Sequence, residues 1–402
     1  MIPRNYDDLS VEFFSSILGC PVASFHLDET VKLVQGNTSI LLAVIVNFES
    51  PLTFPPRRLF LKFALPVNDD SSHNVSFTRK LFVEANVYRK EIEFYKYVRK
   101  ESSSLLDILV PIYYAEIEPI GCDDHFLLVM GEAGRAFNQL HENCNLETSQ
   151  LIVAQLANFH SRFVTAFLKI HPESSFTVCF QPSHHLVAQI VSVNDTKISA
   201  IDLLDLCCKE LPEKLADFKM VALAMSKKIL NKESIFADLL AMVDCETLIS
   251  NVRLAFHHLF LNSKLDTIIH GDFRLDNILI ERDSIKFIDF QALHCGNPAY
   301  DLAQFIVQSH DEPSASFDNL LTVYYNTLCE HNPQIGSLIS LPDLMLAARS
   351  AVSLQLLMLA FHCAKLKPSI DASTGQLQES LDRFMDLVAL IVERALKAYV
   401  LI

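Results

Sequence analysis

Asp272 and Asn277 stand with four residues between them, and Asp289 follows them at the end of the apolar run Ile285-Lys286-Phe287-Ile288. Phosphoryl transfer needs a carboxylate to orient or deprotonate the attacking hydroxyl, oxygen ligands for magnesium, and a cation on the phosphates. The segment from Ile269 to Gln291 can supply the first two. The Asp-four-Asn spacing is that of a loop in which one residue faces the acceptor and the other a metal ion. An ionised Asp at the end of a buried strand is costly unless a charged group meets it, and a divalent cation would do so. Singly, each of these residues is more often a cap, a turn or a salt-bridge partner. Their order and spacing together are more specific.

Several elements must position these groups. The first third of the chain reads as strands with one strong helix. Val31 to Val34 and Ile40 to Phe48 are β-branched runs divided by the turn-like Gln35-Gly36-Asn37-Thr38-Ser39, and a third strand is expected at Leu59 to Phe63. After the polar loop Asp69 to Asn74, the spacing of Phe82, Tyr88, Ile92, Tyr95 and Val98 predicts an amphipathic helix. Two more strands are expected at Pro111 to Ala115 and Phe126 to Met130, with Gly131 and Gly134 loosening the chain after them. Beyond this the periodicity is helical at Leu146 to Phe163, Ile201 to Leu215, Ile235 to Leu261 and after Pro298. The exception is Thr267 to Phe290. There Ile278-Leu279-Ile280 and Ile285 to Ile288 flank the turn Glu281-Arg282-Asp283-Ser284.

His270-Gly271-Asp272-Phe273-Arg274-Leu275-Asp276-Asn277-Ile278-Leu279, Phe287-Ile288-Asp289-Phe290-Gln291 and Tyr300-Asp301-Leu302-Ala303 resemble the choline-kinase-like and aminoglycoside-phosphotransferase superfamily. The Ile-Asp-Phe-Gln form is most similar to its ecdysteroid-kinase-like, or CHK kinase-like, branch. This resemblance implies an α+β, protein-kinase-like, two-lobed fold. A small antiparallel β-sheet lobe with one main helix, residues 1–131, would bind nucleotide, and a large mainly helical lobe, residues 132–402, would carry the catalytic loop and the acceptor. By the same likeness Asp272 would be the catalytic base, Asn277 and Asp289 would be magnesium ligands, and Asp301 would brace the loop.

Weaker matches follow in the expected order. Lys62 resembles the strand lysine that contacts nucleotide phosphates, and Glu91 its helix partner, although Glu84 and Glu93 share that helix. Gly36 and Asn37 occupy the place of a loop over the phosphates, where backbone amides near a glycine can approach an anion; a hairpin turn is the plain alternative. The segment Leu127 to Gly134, with Met130 at its centre, occupies the place of the hinge whose backbone meets adenine. Asn158-Phe159-His160 resembles the family's Ala-x-x-His helix, and His160, His184-His185 and His257-His258 read as hydrogen-bonded structural histidines.

Composition narrows the partners. The net charge of −15 and the absence of a basic, aromatic-rich cluster exclude a nucleic-acid backbone as an expected partner. The ten cysteines are scattered and read as reduced thiols, and the N-terminal residues lack a signal-peptide pattern, so a cytoplasmic location is expected. Leu344 to Phe361, broken by Arg349 and Gln355, suits a buried core helix better than a membrane span. The sequence therefore predicts an ATP- and Mg2+-dependent kinase of a small-molecule hydroxyl. Two alternatives stand beside it: a catalytically inactive nucleotide-binding or scaffold protein on the same fold, and a protein kinase. Gly271 and Gln291, where a protein kinase has Arg and Gly, weigh against the latter.

Overall fold

The computed structural model describes residues 2–31, 34–35, 39–51, 53–64, 86–101, 107–119, 125–136, 144–165, 182, 184–191, 198–225, 233–281, 284–309, 313–372 and 391–399. The chain divides into two compact units. The first joins the described residues of Met1–Arg135 to Leu279–Leu293, and the second holds the other described residues.

The first unit is built on an antiparallel sheet. Helix α1 (Val11–Leu18) precedes β1 (Val22–Leu27), β2 (Val34–Gln35), β3 (Ser39–Phe48), β4 (Arg57–Ala64), helix α2 (Val87–Glu101), β5 (Ile112–Ile117) and β6 (Phe126–Gly131). The strand order is β1-β3-β4-β6-β5, and β2 pairs with β3. The strands expected at Ile40 to Phe48, Leu59 to Phe63, Pro111 to Ala115 and Phe126 to Met130 are present with ends shifted by a few residues. Of the one expected from Val31 to Val34, residues 32 and 33 lie outside the described residues and only Val34 is in a strand, the short β2. Sequence reasoning missed α1 and β1. Ser10 caps α1 by accepting from Phe13 N (3.1 Å), and Gly19 closes it at φ 68°.

Period-two alternation in β4 explains how this sheet sorts its side chains. Leu59, Leu61 and Phe63 enter a core with Phe14, Val44, Val46, Phe48, Leu127 and Val129. Lys62, between two of them, must emerge on the opposite face. On α2 the buried residues Tyr88, Ile92, Tyr95 and Val98 form one stripe, and Glu91 lies on it. The hairpin of Ile278–Glu281 and Ser284–Phe287 is tied to the residues before β5, where Phe287 N donates to Ile108 O at 2.9 Å. A glycine is required at 134. Its φ is +104°, and a Cβ there would fall 2.8 Å from Ile280 O.

The second unit is mainly helical: α3 (Leu146–Ser161), α4 (His184–Ile190), α5 (Ala200–Met225), α6 (Glu233–Ala241), α7 (Cys245–Phe256), α8 (Ala299–Ser309), α9 (Pro313–His331), α10 (Leu341–Ala372) and α11 over residues 391–399. The helical stretch expected from Ile235 to Leu261 is divided into α6, α7 and a π-turn at His257–Leu261. Asp244 interrupts it because its side chain accepts from Thr247 N (2.8 Å), which starts α7 afresh. By length and composition Leu341–Ala364 could cross a membrane, yet 78% of its apolar window is buried inside the protein. It packs on α5, α7 and α8. A short antiparallel pair, Thr267–Ile269 with His294–Gly296, delivers the chain to His270.

Candidate active site

In the first unit Lys62 is the centre of a buried charge cluster. Its strand is central, between β3 and β6, rather than an edge, and the residue is 9% exposed. Lys62 Nζ donates to Glu91 Oε2 and to Asp289 Oδ1, each at 2.7 Å. Of the acids that spacing left open on α2, Glu91 is the partner. Glu93 lies 3.6 Å from Lys96 Nζ, and Glu84 falls outside the described residues.

Burial alone would lower the Lys62 pKa, but the charges of Asp289 and Glu91 outweigh it and hold the ammonium protonated far above its ordinary range. Burial pushes the Glu91 carboxyl up, Lys62 opposes that, and the charge on Asp289 adds to it. One cation is thus shared by two carboxylates.

Asp289 is held in an uncommon backbone conformation, φ 66° and ψ 59°, at the start of the short 3-10 turn Phe290–Ala292. Such left-handed geometry is tolerated by Asp and Asn better than by bulkier residues. The next residue anchors it: buried Phe290 packs against Phe94 at 4.5 Å and Tyr95 at 5.7 Å between ring centroids. The second oxygen, Oδ2, accepts from Gln291 Nε2 at 3.3 Å. Met130 sits in the β6 ladder opposite Phe60 and Ile112 and is 8% exposed. Gly36 and Asn37 lie outside the described residues.

In the second unit the loop from His270 to Asn277 is fixed from behind by helix α8. Asp301, fully buried, accepts from His270 N at Oδ2 (2.6 Å) and from Gly271 N at Oδ1 (2.9 Å). Gly271 has φ 80°, a turn that glycine adopts without strain. Asp301 Oδ2 also meets His160 Nε2 at 3.1 Å, and His160 Nδ1 lies 2.7 Å from the Tyr324 hydroxyl. The partners assign the tautomer: Nε2 carries the proton to Asp301 and Nδ1 accepts from Tyr324. Burial lowers the His160 pKa against the raising effect of Asp301. This histidine is a structural, neutral link.

The side chain of Asp272 is 28% exposed. Its oxygens receive Asn277 Nδ2 at Oδ2 (3.1 Å) and Gln304 Nε2 at Oδ1 (3.4 Å), and Arg274 Nε lies 3.5 Å from Oδ1. Asn277 Nδ2 also donates to Asp272 O at 2.8 Å. Asp272 N donates to His270 Nδ1 at 3.3 Å, which makes His270 a support of the loop. Sequence reasoning missed Gln304, Arg274, Gln291 and Tyr324. For Gln304 a signal existed, since it lies three positions after Asp301 on one helix face.

Each unit thus gathers part of the expected set: Lys62, Glu91 and Asp289 in the first, Asp272 and Asn277 in the second. The ethanolamine kinase of Plasmodium vivax is 16% identical, with a TM-score of 0.44 over 97% of this chain and 89% of that one. Amicoumacin kinase hAmiN, solved with AMP-PNP, Ca2+ and Ami, is 12% identical with a TM-score of 0.44 over 90% and 89%. Choline kinase from Cryptosporidium parvum Iowa II is 11% identical with a TM-score of 0.39 over 92% and 87%. No curated protein matches the chain. The profile of the ecdysteroid kinase-like family matches residues 70–337, which is more than half of the chain and includes Glu91, Asp272, Asn277 and Asp289. The chain therefore belongs to the ecdysteroid kinase-like family.

Proposed function

We propose that this protein is a kinase that transfers the γ-phosphate of ATP to a hydroxyl of a small molecule in the presence of magnesium. The observation that carries the reading is Lys62 Nζ, buried and 2.7 Å from both Glu91 and Asp289. A structural ion pair needs one acid, whereas a lysine shared by two, one of them on a strained turn, suits a site that exchanges partners when phosphate and metal arrive.

The donor chemistry fits magnesium. Asp289 offers a carboxylate, and Asn277 offers an amide oxygen because its nitrogen is engaged by Asp272. Among the described residues no three or more His, Cys, Asp or Glu gather as a metal cage. None is needed, since magnesium that keeps waters and phosphate oxygens takes only one or two protein ligands. Asn277 and Asp289 are each assigned one such ligand position. Magnesium, when bound, neutralises charge on the phosphates.

Asp272 is assigned as the base. As the acceptor oxygen forms its bond to the γ-phosphorus, the bond from that phosphorus to the departing ADP oxygen breaks, and the hydroxyl proton passes to the Asp272 carboxylate. Lys62 is assigned to the nucleotide phosphates, with Glu91 holding it in place. Met130, Gly36 and Asn37 are assigned as nucleotide contacts, and the protein is assigned to the cytoplasm.

The test is a metabolite extract incubated with the protein, ATP and magnesium, screened for compounds that gain the mass of one phosphate. A gain that disappears with Asp272→Ala supports the proposal. No gain, together with no magnesium-dependent stabilisation by AMP-PNP, overturns it.

A further inference from the structure

Helix α8 grips the loop at two levels. Asp301 holds the backbone of His270 and Gly271, and Gln304, one turn further on and 6% exposed, takes hold of the next two residues. Gln304 Oε1 accepts from Phe273 N at 3.0 Å, and Gln304 Nε2 donates to Asp272 Oδ1 at 3.4 Å. A primary amide suits this place because it carries an acceptor and a donor side by side. Phe273 N demands the acceptor, and that bond fixes which end of the amide faces the Asp272 carboxylate.

The consequence concerns the side chain of Asp272 rather than the fold. A carboxylate rotates about a soft sp³–sp² torsion, so two donors on different oxygens are needed to fix its plane. Asn277 supplies one at Oδ2 and Gln304 the other at Oδ1. Arg274 is the remaining cation near Oδ1, at 3.5 Å. A carboxylate has about four lone-pair sites, so these three contacts leave a site for an acceptor hydroxyl.

We propose that Gln304 is a positioning residue for the phosphoryl transfer, fixing the plane of the Asp272 carboxylate so that its remaining lone pair meets the attacking hydroxyl. This rests on the assignment of Asp272 as base. Gln304 touches neither reactant and acts through Asp272.

The test uses the full chain and Mg–ATP, with water as the acceptor and ADP formation as the readout. Gln304→Met keeps the length and removes both bonds; Gln304→Glu keeps the acceptor for Phe273 N and removes the donor. Each variant is expected to lose about 10–100-fold in kcat, the cost of a misplaced reacting group. KM for ATP and the thermal shift with Mg–AMP-PNP should stay within about twofold of wild type, because nucleotide binding is not the step affected.

The deciding measurement is a cycle with Asp272→Asn. Gln304→Met should lower the residual rate of that variant no further, because a residue that works through Asp272 has nothing left to position. Multiplicative losses in the double variant, or a parallel loss of nucleotide affinity, would show that Gln304 only supports the fold. If Gln304→Met fails to fold, the same cycle is run with Gln304→Glu. Wild-type protein that neither forms ADP nor is stabilised by Mg–AMP-PNP overturns the kinase reading and this role with it. Turnover in wild type with multiplicative losses overturns the role alone.

Discussion

Lys62 and Asp289, 227 positions apart, meet through an Nζ to Oδ1 hydrogen bond of 2.7 Å, and Glu91 shares the same ammonium. A sheet strand, a helix and the turn after a hairpin each contribute one charge to that cluster.

Removing the cation should be costly. Lys62→Met leaves two carboxylates facing each other in a largely buried place, and breaking a buried pair in this way costs about 3–5 kcal/mol. The lower end is expected, because the Asp289 side chain is 28% exposed and can recruit water. Urea unfolding of wild type and variant measures it; a loss below about 1 kcal/mol, the scale of an exposed pair, would sink the expectation.

Asp289→Asn separates charge from backbone geometry. Asn tolerates the left-handed conformation at this position as well as Asp does, so the fold should survive. Magnesium-dependent stabilisation by AMP-PNP should nevertheless fall, because a charged oxygen ligand is gone. A thermal shift equal to that of wild type across a magnesium titration would refute the ligand assignment.

For Asp272→Asn the expected loss is in turnover, by about 10²–10⁴-fold, the usual contribution of a positioned base. Nucleotide affinity should change little. Equal losses in kcat and in AMP-PNP binding would place Asp272 in binding rather than in proton transfer.

Acid should destabilise the second unit through His160. Its folded pKa is depressed below the ordinary 6.5, so the unfolded chain binds more protons between the two values. The stability from neutral His160 is complete above about pH 6.5 and declines as pH falls towards the folded value. The slope approaches about 1.4 kcal/mol per pH unit for one proton. His184 and His258 are lowered by burial as well and add in the same direction. Melting temperature followed from pH 7.5 to 5 should fall less steeply in His160→Gln, and an unchanged slope would remove His160 from the account.

The loop from His270 to Asn277 was legible because its pattern is local: the residues proposed to act are neighbours in sequence, and their spacing is the signal. The brace from Asp301 was also within reach of the motif. The partner of Lys62 was named as Glu91 by resemblance alone, since spacing left Glu84 and Glu93 open beside it; of the two that lie among the described residues, Glu91 and Glu93, only the sheet opposite decides. Helix α1 escaped notice for being eight residues long, with a single fully buried side chain, Phe14. Strand β1 shows mostly exposed positions after Val22, so it lacks the alternation that reveals half-buried strands. The break at Asp244 was written in the sequence as a capping residue, but the apolar pattern on both sides of it masked the stop.

Helix α8 sets a length scale for the loop it holds. Asp301 and Gln304 are separated by a rise of about 4.5 Å along the helix, and between them they hold the backbone of His270, Gly271 and Phe273. A single residue inserted between them would turn Gln304 about 100° away from the loop. The spacing of these two side chains is therefore as much a part of the site as their identity, and transplanting the loop into another scaffold would require carrying this turn of helix with it as one block.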